Sequence, residues 1–444
     1  MQQVNVGMIG GGTVGSGVYN ALRLNASLMN SRLGMSIRLR KIAVKAYDEP
    51  RPYEIPRPLM TTDWQSVVND PEIQVIIEVM GGTTLAKSII LAALKLGKPV
   101  ITANKALLSA HGQELIAAAR ESGANLYFEA SVCGGIPVIK SLREGFVGNR
   151  VTHLYGIVNG TCNYILTRMK QEGADFAAVL KDAQAHGYAE AEPSLDIDGF
   201  DAQHKIGILA SLAHGFWVKP TDIFVEGIRN ITALDIRFAE QLGYTIKLLG
   251  IIKTVDEAKP RLRANPAGPR IQVSVYPTLV PNGHMLASVN HVFNAVFIRG
   301  DIVGDTLFYG RGAGKDATAS AVLSDIADAA LDLKFASKQR VPPFVSHEKH
   351  GAAIRIEEVV TRYFVRLNVI DRPGTLAKIA NLLGQAKIGI SSVIQPEGHE
   401  GESVPIILML HDAPNGNVMK AIRKIGALSV VKGEPVVIRV ENFQ

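Results

Sequence analysis

Only two cysteines, Cys133 and Cys162, occur in 444 residues, too few for a disulfide framework or a four-ligand cysteine site for zinc. That scarcity points to a reducing compartment. No apolar run is long enough to cross a bilayer, and the opening MQQVNVGMIGGG lacks the basic region and long apolar core of a signal peptide. The chain therefore reads as cytoplasmic, with no membrane partner. Aromatics are sparse, no long basic run interleaves with them, and a formal net charge of +6 is small for this length, which argues against nucleic acid. What remains is an ordinary globular composition, too long for one hydrophobic core, so two or three domains are expected.

Val4 to Ile9 is a short apolar run of strand type that leads into Gly10-Gly11-Gly12-Thr13-Val14-Gly15 and then a helical pattern through Val18, Leu22 and Leu24. Glycines spaced G-x-G-x-x-G at a strand-to-helix junction let the backbone approach a pyrophosphate and aim helix amides at it. Buried strands expected at Ile37–Val44, Val75–Val79, Pro99–Thr102 and Leu126–Phe128 alternate with helices at Thr84–Leu96 and Gly112–Ser122. This order predicts an α/β domain over 1–135 with a Rossmann-type, doubly wound parallel sheet, its cofactor at the carboxyl ends of the strands. After the second strand, where NAD enzymes usually place an acidic residue, stand Lys45 and later Arg51. The cations favour the 2′-phosphate of NADP, whereas Asp48 and Glu49 keep NAD open and Lys45 serves equally well as a solvated loop charge. Lys105, just beyond the strand ending at Thr102, points into the crevice or is simply an exposed helix start.

Glu129-Ala130-Ser131-Val132-Cys133-Gly134-Gly135-Ile136-Pro137 is a glycine-rich turn leaving the sheet; it reads as an interdomain hinge, and its bend can also aim carbonyls at a hard cation. Cys133 has no histidine near it in sequence and reads as a packing residue. Gly156 to Leu166 opens a helix that Asn159 or Thr161 can cap. Gly187 to Lys205 then crowds Glu190, Glu192, Asp196, Asp198, Asp201 and Lys205 against the apolar helix Ile206–Leu212. Asp201 and Lys205 are four residues apart, hence on one helix face. Were they merely exposed, the pair would contribute roughly 0.3 to 0.5 kcal/mol.

Six ordered motifs, GGGTVG, TANKALL, EASVCGGIP, GIVNGTCNYIL, GYAEAEPSLDIDGFDAQHK and GRGAGKDATASAV, resemble those of homoserine dehydrogenases over residues 1 to about 330. The resemblance implies NAD(P)H-dependent reduction of L-aspartate 4-semialdehyde to L-homoserine, a step towards threonine and methionine. It implies Lys205 as proton donor to the carbonyl oxygen, Lys105 as its partner, and Glu190, Asp196 and Asp201 as substrate carboxylates, with Gly160 and Thr161 beside them. Cofactor contacts would come from Gly10, Gly12, Thr13, Val14, Gly15, Lys45, Arg51, Gly81, Thr102, Lys105, Gly187, Glu190, Gly312 and Gly314. The backbone of Glu129, Val132, Gly134 and Ile136 would hold a monovalent cation, Na+. Where many relatives carry a proline just before Thr318, this chain has Ala317, so the path of the Gly314–Thr318 loop departs from the family pattern.

The central α+β domain, 136–333, carries substrate binding, catalysis and dimerisation, its 305–330 stretch packing back on the first domain. Its expected strands are Ile271–Val275, Ala295–Arg299 and Thr306–Phe308 in one open sheet, with helix over Gln241–Leu248 and Leu249–Ile252. An outer face of Val289, Val292 and Phe293 would invite a second copy, giving a homodimer or homotetramer. Residues 334–360, with Pro342-Pro343, read as a linker. Beyond it the order βαββαβ over 361–444 predicts a ferredoxin-like plait. Its first turn, Asp371-Arg372-Pro373-Gly374-Thr375-Leu376, resembles an ACT domain. This implies feedback inhibition by L-threonine through Asp371, Gly374, Thr375 and Leu376. Two rival readings are another amino-acid or semialdehyde dehydrogenase and a non-catalytic amino-acid sensor on the same fold; a sensor has no need of a proton donor.

Overall fold

Six parallel strands, β1 (Gln3–Ile9), β2 (Ser36–Ala43), β3 (Met60–Thr61), β4 (Val75–Glu78), β5 (Val100–Thr102) and β6 (Leu126–Tyr127), form the first sheet in the order β3-β2-β1-β4-β5-β6. The computed structural model describes residues 2–255, 268–337, 339–396, 399 and 401–443. Strands β4 and β5 are buried along their whole length, as a sheet covered by helices on both faces requires. Helices Thr13–Leu33, Thr84–Lys95 and Lys105–Ser122 supply that cover. A later helix, Lys315–Lys334, returns to the same layer: its Ala319, Val322 and Ile326 share a core with Val4, Val6 and Val18.

The second sheet is built from β7 (Val151–Ile157), β8 (Phe224–Val225), β9 (Tyr244–Thr254), β10 (Arg270–Pro281), β11 (Phe293–Gly300), β12 (Gly304–Arg311), β13 (Ala352–Ala353), β14 (Val360–Ile370), β15 (Ile390–Ile394), β16 (Ser403–Pro414) and β17 (Val431–Val440). Its order is β12-β11-β7-β9-β10-β17-β14-β16-β15, with β8 and β13 lying on β10. Helix Phe200–His214 lies against it where Gly156 of β7 and Gly250 of β9 face each other in register. A Cβ on Gly250 would come within 2.6 Å of the Ile206 side chain, so the bare backbone there admits the helix and sets the depth of its neighbour Lys205.

Two sequence expectations fail here. Residues 244–254 are strand β9, not helix: Gly243, at φ 83°, follows the end of helix Ala233–Gln241, and the strand's two-sided burial (Ile246, Leu248, Leu249, Ile251, Ile252) erases the period-two alternation that would have marked it. Val289 and Val292 precede β11 rather than line an outer sheet face; Val289 is interior, and Phe293 stacks on Tyr309 at 5.1 Å.

The last unit runs β14, helix Thr375–Gln385, β15, β16, helix Asn415–Gly426, β17, with antiparallel neighbours in the order β17-β14-β16-β15. It does not stand apart from the central strands. Thr278 and Leu279 of β10 pair in parallel with Arg439 and Val440 of β17. Arg366 reaches Asp235 at 2.6 and 3.2 Å, and Arg439 reaches Glu226 at 2.8 Å. The segment before it is tied down as well: Gln339 donates to the Ala119 and Ala124 carbonyls, and Phe344 meets Trp217 edge-on.

Candidate active site

The loop after β1 is shaped by its glycines. Gly10 holds φ 108°, and a Cβ on Gly15 would lie 2.0 Å from the Gly10 carbonyl oxygen, whereas one on Gly12 would meet nothing within 4 Å. The turn is thus tight beneath and open above, at the amino end of helix Thr13–Leu33, and fits the pyrophosphate of a dinucleotide. Arg51 braces it, donating from Nε to the Gly11 carbonyl and from its two Nη atoms to Tyr47 and Ala46. Lys45 is exposed, and Arg57, unremarked in the sequence, stacks 3.6 Å over the Tyr47 ring.

At the carboxyl ends of β4 and β5 the sequence concealed a second device. Glu78 is fully buried; one carboxylate oxygen accepts from the amides of Met80 (3.0 Å) and Gly81 (3.3 Å), the other from the Thr102 hydroxyl (2.7 Å). Thr102 in turn accepts from the Asn104 amide, and Asn104 caps helix Lys105–Ser122 through the Leu107 amide. Lys105 is the first residue of that helix.

Lys105 Nζ crosses to the second half of the molecule and meets Asp201 Oδ1 at 2.7 Å. Asp201, in the first turn of helix Phe200–His214, takes Lys205 Nζ on Oδ2 at 2.7 Å. Lys205 also donates to the Val158 carbonyl at 2.6 Å. Both members of the helical pair are buried, with 3% and 7% of their surfaces exposed, so the exposed-pair reading fails. Burial works to raise the Asp201 carboxyl, but the charges of Lys205 and Lys105 outweigh it and hold the group well below the usual carboxylate range. On Lys205 burial pulls downwards; the Asp201 charge prevails, and the amine is held above the ordinary lysine value.

Asn159 joins this centre to Asp196. Its amide donates to Asp196 (2.7 Å) and Asp201 (2.9 Å), while its oxygen caps helix Gly160–Glu172 through the Cys162 amide. Thr161 does not cap; its hydroxyl lies 2.9 Å from the Tyr188 carbonyl and 3.2 Å from Asp196. Gly160 opens the helix beside it, close under the Val292 carbonyl. Glu190 and Gly187 lie on an exposed stretch, and no described side-chain bond ties Glu190 to this cluster. Asp371, Gly374, Thr375 and Leu376 lie elsewhere, at the start of helix Thr375–Gln385, where Gly374 has φ 85° and the Thr375 hydroxyl donates to the Ile370 carbonyl.

The glycine-rich turn bends at Cys133 (φ 55°) and Gly134 (φ 50°) and packs backbone to backbone on Gly312. Asn294 fills the space beside Gly312, and Gly314, at φ 110°, precedes helix Lys315–Lys334. Glu129 Oε1 and Oε2 accept from the Ile139 and Lys140 amides, and burial pushes the carboxyl up to about 7. The Ile136 carbonyl already accepts from Val138 and that of Glu129 from Val132, whereas no described bond ends on the carbonyls of Val132 or Gly134. Among the described residues no group of three or more His, Cys, Asp or Glu is placed to hold a metal ion, so a cation here would be held by carbonyl oxygens. Burial pushes the Cys133 thiol up to about 12, which suits packing and not nucleophilic work. No helix among the described residues is long and apolar enough to cross a membrane.

Comparison with known proteins gives concordant findings. Residues 10–129 match the model of the homoserine dehydrogenase NAD binding domain, and residues 137–327 that of homoserine dehydrogenase. The chain is 41% identical to the homoserine dehydrogenase of Pseudomonas aeruginosa over the whole of both chains, and 37% identical to that of Bacillus subtilis over 100% of this chain and 99% of that one. A crystal structure of a homoserine dehydrogenase from Thiobacillus denitrificans superposes with a TM-score of 0.90 at 40% identity, covering 100% of this chain and 99% of that one. A hyperthermophilic archaeal homoserine dehydrogenase in complex with NADPH covers 74% of this chain and 98% of its own, with a TM-score of 0.59 at 25% identity. On these matches the chain belongs to the homoserine dehydrogenase family of NAD(P)-dependent oxidoreductases.

Proposed function

We propose that the chain reduces L-aspartate 4-semialdehyde to L-homoserine with Lys205 as the proton donor, in the synthesis of threonine and methionine. One observation carries this: two ammonium groups converge on the two oxygens of one buried carboxylate, Asp201. The bound nicotinamide supplies the hydride. As the aldehyde oxygen gains negative charge, a fixed ammonium stabilises it and then yields a proton. Asp201 keeps Lys205 charged for that moment, and Lys105 supplies the second cation. Asp196, steadied by Asn159 and Thr161, is the acceptor for the substrate's ammonium group, and Glu190 reaches the same group from the exposed Gly187 stretch.

NADP is the preferred cofactor. Lys45 stands exposed two residues before Tyr47, Arg57 stacks on the Tyr47 ring, and the archaeal relative is in complex with NADPH. The carbonyls of Val132 and Gly134, with those of Glu129 and Ile136, would hold Na+ and so fix the turn on which Gly312 rests. The last unit is an ACT domain binding L-threonine at Asp371–Leu376, and the chain works in the cytoplasm as a homodimer or homotetramer. Because Arg366 and Arg439 reach into the central unit, deletion of residues 355–444 would leave Asp235 and Glu226 without their arginines and bare Thr278 and Leu279 of β10. Point changes at Asp371 and Thr375 are the cleaner test of threonine inhibition.

The deciding experiment is a steady-state assay of parent and Lys205→Ala with homoserine and each cofactor. A general acid's loss lowers kcat by about two to four orders of magnitude. A change confined to KM would make the lysine a substrate-holding group only.

A further inference from the structure

We infer that Glu78 is a positioning residue for the reaction, acting through Lys105; the inference rests on the role given above to Lys105. A carboxylate in an otherwise apolar strand is costly to bury, and no described ion pair offsets this one. It is satisfied instead by three protons from two different segments: the amides of Met80 and Gly81 after β4, and the hydroxyl of Thr102 at the end of β5. The chain of contacts continues without a gap, from Thr102 to the Asn104 amide, from Asn104 Oδ1 to the Leu107 amide, and from Asn104 Nδ2 back to the Gly82 carbonyl at 2.7 Å.

This closed circuit holds Gly81 and Gly82 in their left-handed conformations, φ 76° and 73°, and fixes where helix Lys105–Ser122 begins. Lys105 is two-thirds buried, and its reach to Asp201 depends on that starting point. Thr102 cannot do this alone, because its hydroxyl needs a fixed acceptor to present its lone pairs to Asn104. Glu78 is that acceptor, and burial raises its carboxyl above the ordinary value even as those donors oppose the shift.

The test is a double-mutant cycle of Glu78→Gln and Lys105→Ala, with Thr102→Val as an independent break in the circuit and thermal melts on every variant. If Glu78 acts through Lys105, Glu78→Gln lowers kcat by about ten- to a hundredfold in the parent, the range for a displaced catalytic group. It then changes kcat by less than about threefold once Lys105 is absent. Thr102→Val would reproduce the loss of kcat, and NADPH affinity, read by fluorescence titration without turnover, would stay within about threefold for Glu78→Gln. Equal losses in the two backgrounds overturn the inference and leave the role of Lys105 standing, as does a fall in NADPH affinity that accounts for the whole loss. An unchanged kcat in Lys105→Ala alone removes the role of Lys105 and this inference together. Should Glu78→Gln fold poorly, the Thr102→Val and Lys105→Ala cycle decides on the same terms.

Discussion

Replacing Asp201 by Asn keeps the shape of the side chain and removes the charge on which two ammonium groups close at 2.7 Å. One oxygen becomes an amide that would face donors: Lys205 and Asn159 on one side, Lys105 on the other. Removing one partner of a buried ion pair costs about 3 to 5 kcal/mol. Either the fold bears that cost or Lys205, with only the Val158 carbonyl left to it, releases its proton. At tenfold per 1.4 kcal/mol, the second outcome lowers the ratio of ammonium to amine by about a hundred- to a few thousandfold.

The assay is kcat against pH for aldehyde reduction, with melts at the same pH values. The parent's Lys205 is held above its ordinary value, so its stabilising share is present below that value and is lost as pH rises through the raised one. Asp201 is held below the carboxylate range, so its share is present above that range and is lost as pH falls through the depressed value. The parent thus keeps both shares across neutral pH. Asp201→Asn is expected to move the alkaline limb of reduction to lower pH by about two to three and a half units, so that kcat is lost first on the alkaline side, and to lower Tm. A limb that stays in place, with kcat within about threefold of the parent, refutes the claim that this carboxylate keeps Lys205 charged.

Gly15→Ala forces a Cβ to within 2.0 Å of a backbone carbonyl, so overpacking of about 1 to 3 kcal/mol and weakened binding of both NAD and NADP are expected; melts and fluorescence titrations read these separately. Arg51→Ala should weaken both cofactors alike, because its donors hold the loop itself, whereas Lys45→Ala should reduce NADP affinity selectively, by about 1 kcal/mol or less for an exposed charge. An unchanged NADP to NAD affinity ratio in Lys45→Ala removes that lysine from cofactor choice. Arg366→Met strands the fully buried Asp235, and a loss of about 3 to 5 kcal/mol in chemical denaturation is expected; a loss below about 1 kcal/mol would mean that water reaches the carboxylate.

The glycine turn and the Asp201–Lys205 pair were legible because their signals are local. Glycines at fixed offsets mark a phosphate turn, and the spacing of Asp201 and Lys205 places both on one helix face whatever the rest of the chain does. Glu78 was not legible for the opposite reason: in VIIEV it reads as an ordinary strand-end charge, and only the fold brings Thr102 to it. The lone carboxylate in an apolar run was the available clue. Asn159 was read as a cap, which it is, but its second task depends on Asp196 and Asp201, some forty residues on. Strand β9 was misread because burial on both faces removes alternation, and the Arg366 contact spans 131 residues, beyond any periodicity.

Lys105 rises from the nucleotide half of the molecule and Asp201 from the half that would take the amino acid, so the bond between them is also a gauge of the gap. Parting the halves by a few ångström would strip Asp201 of one cation and leave Lys205 as its sole neighbour of opposite sign. Full electrostatic strength would thereby be reserved for the close approach of the two halves, where the reacting carbonyl would meet both cations together.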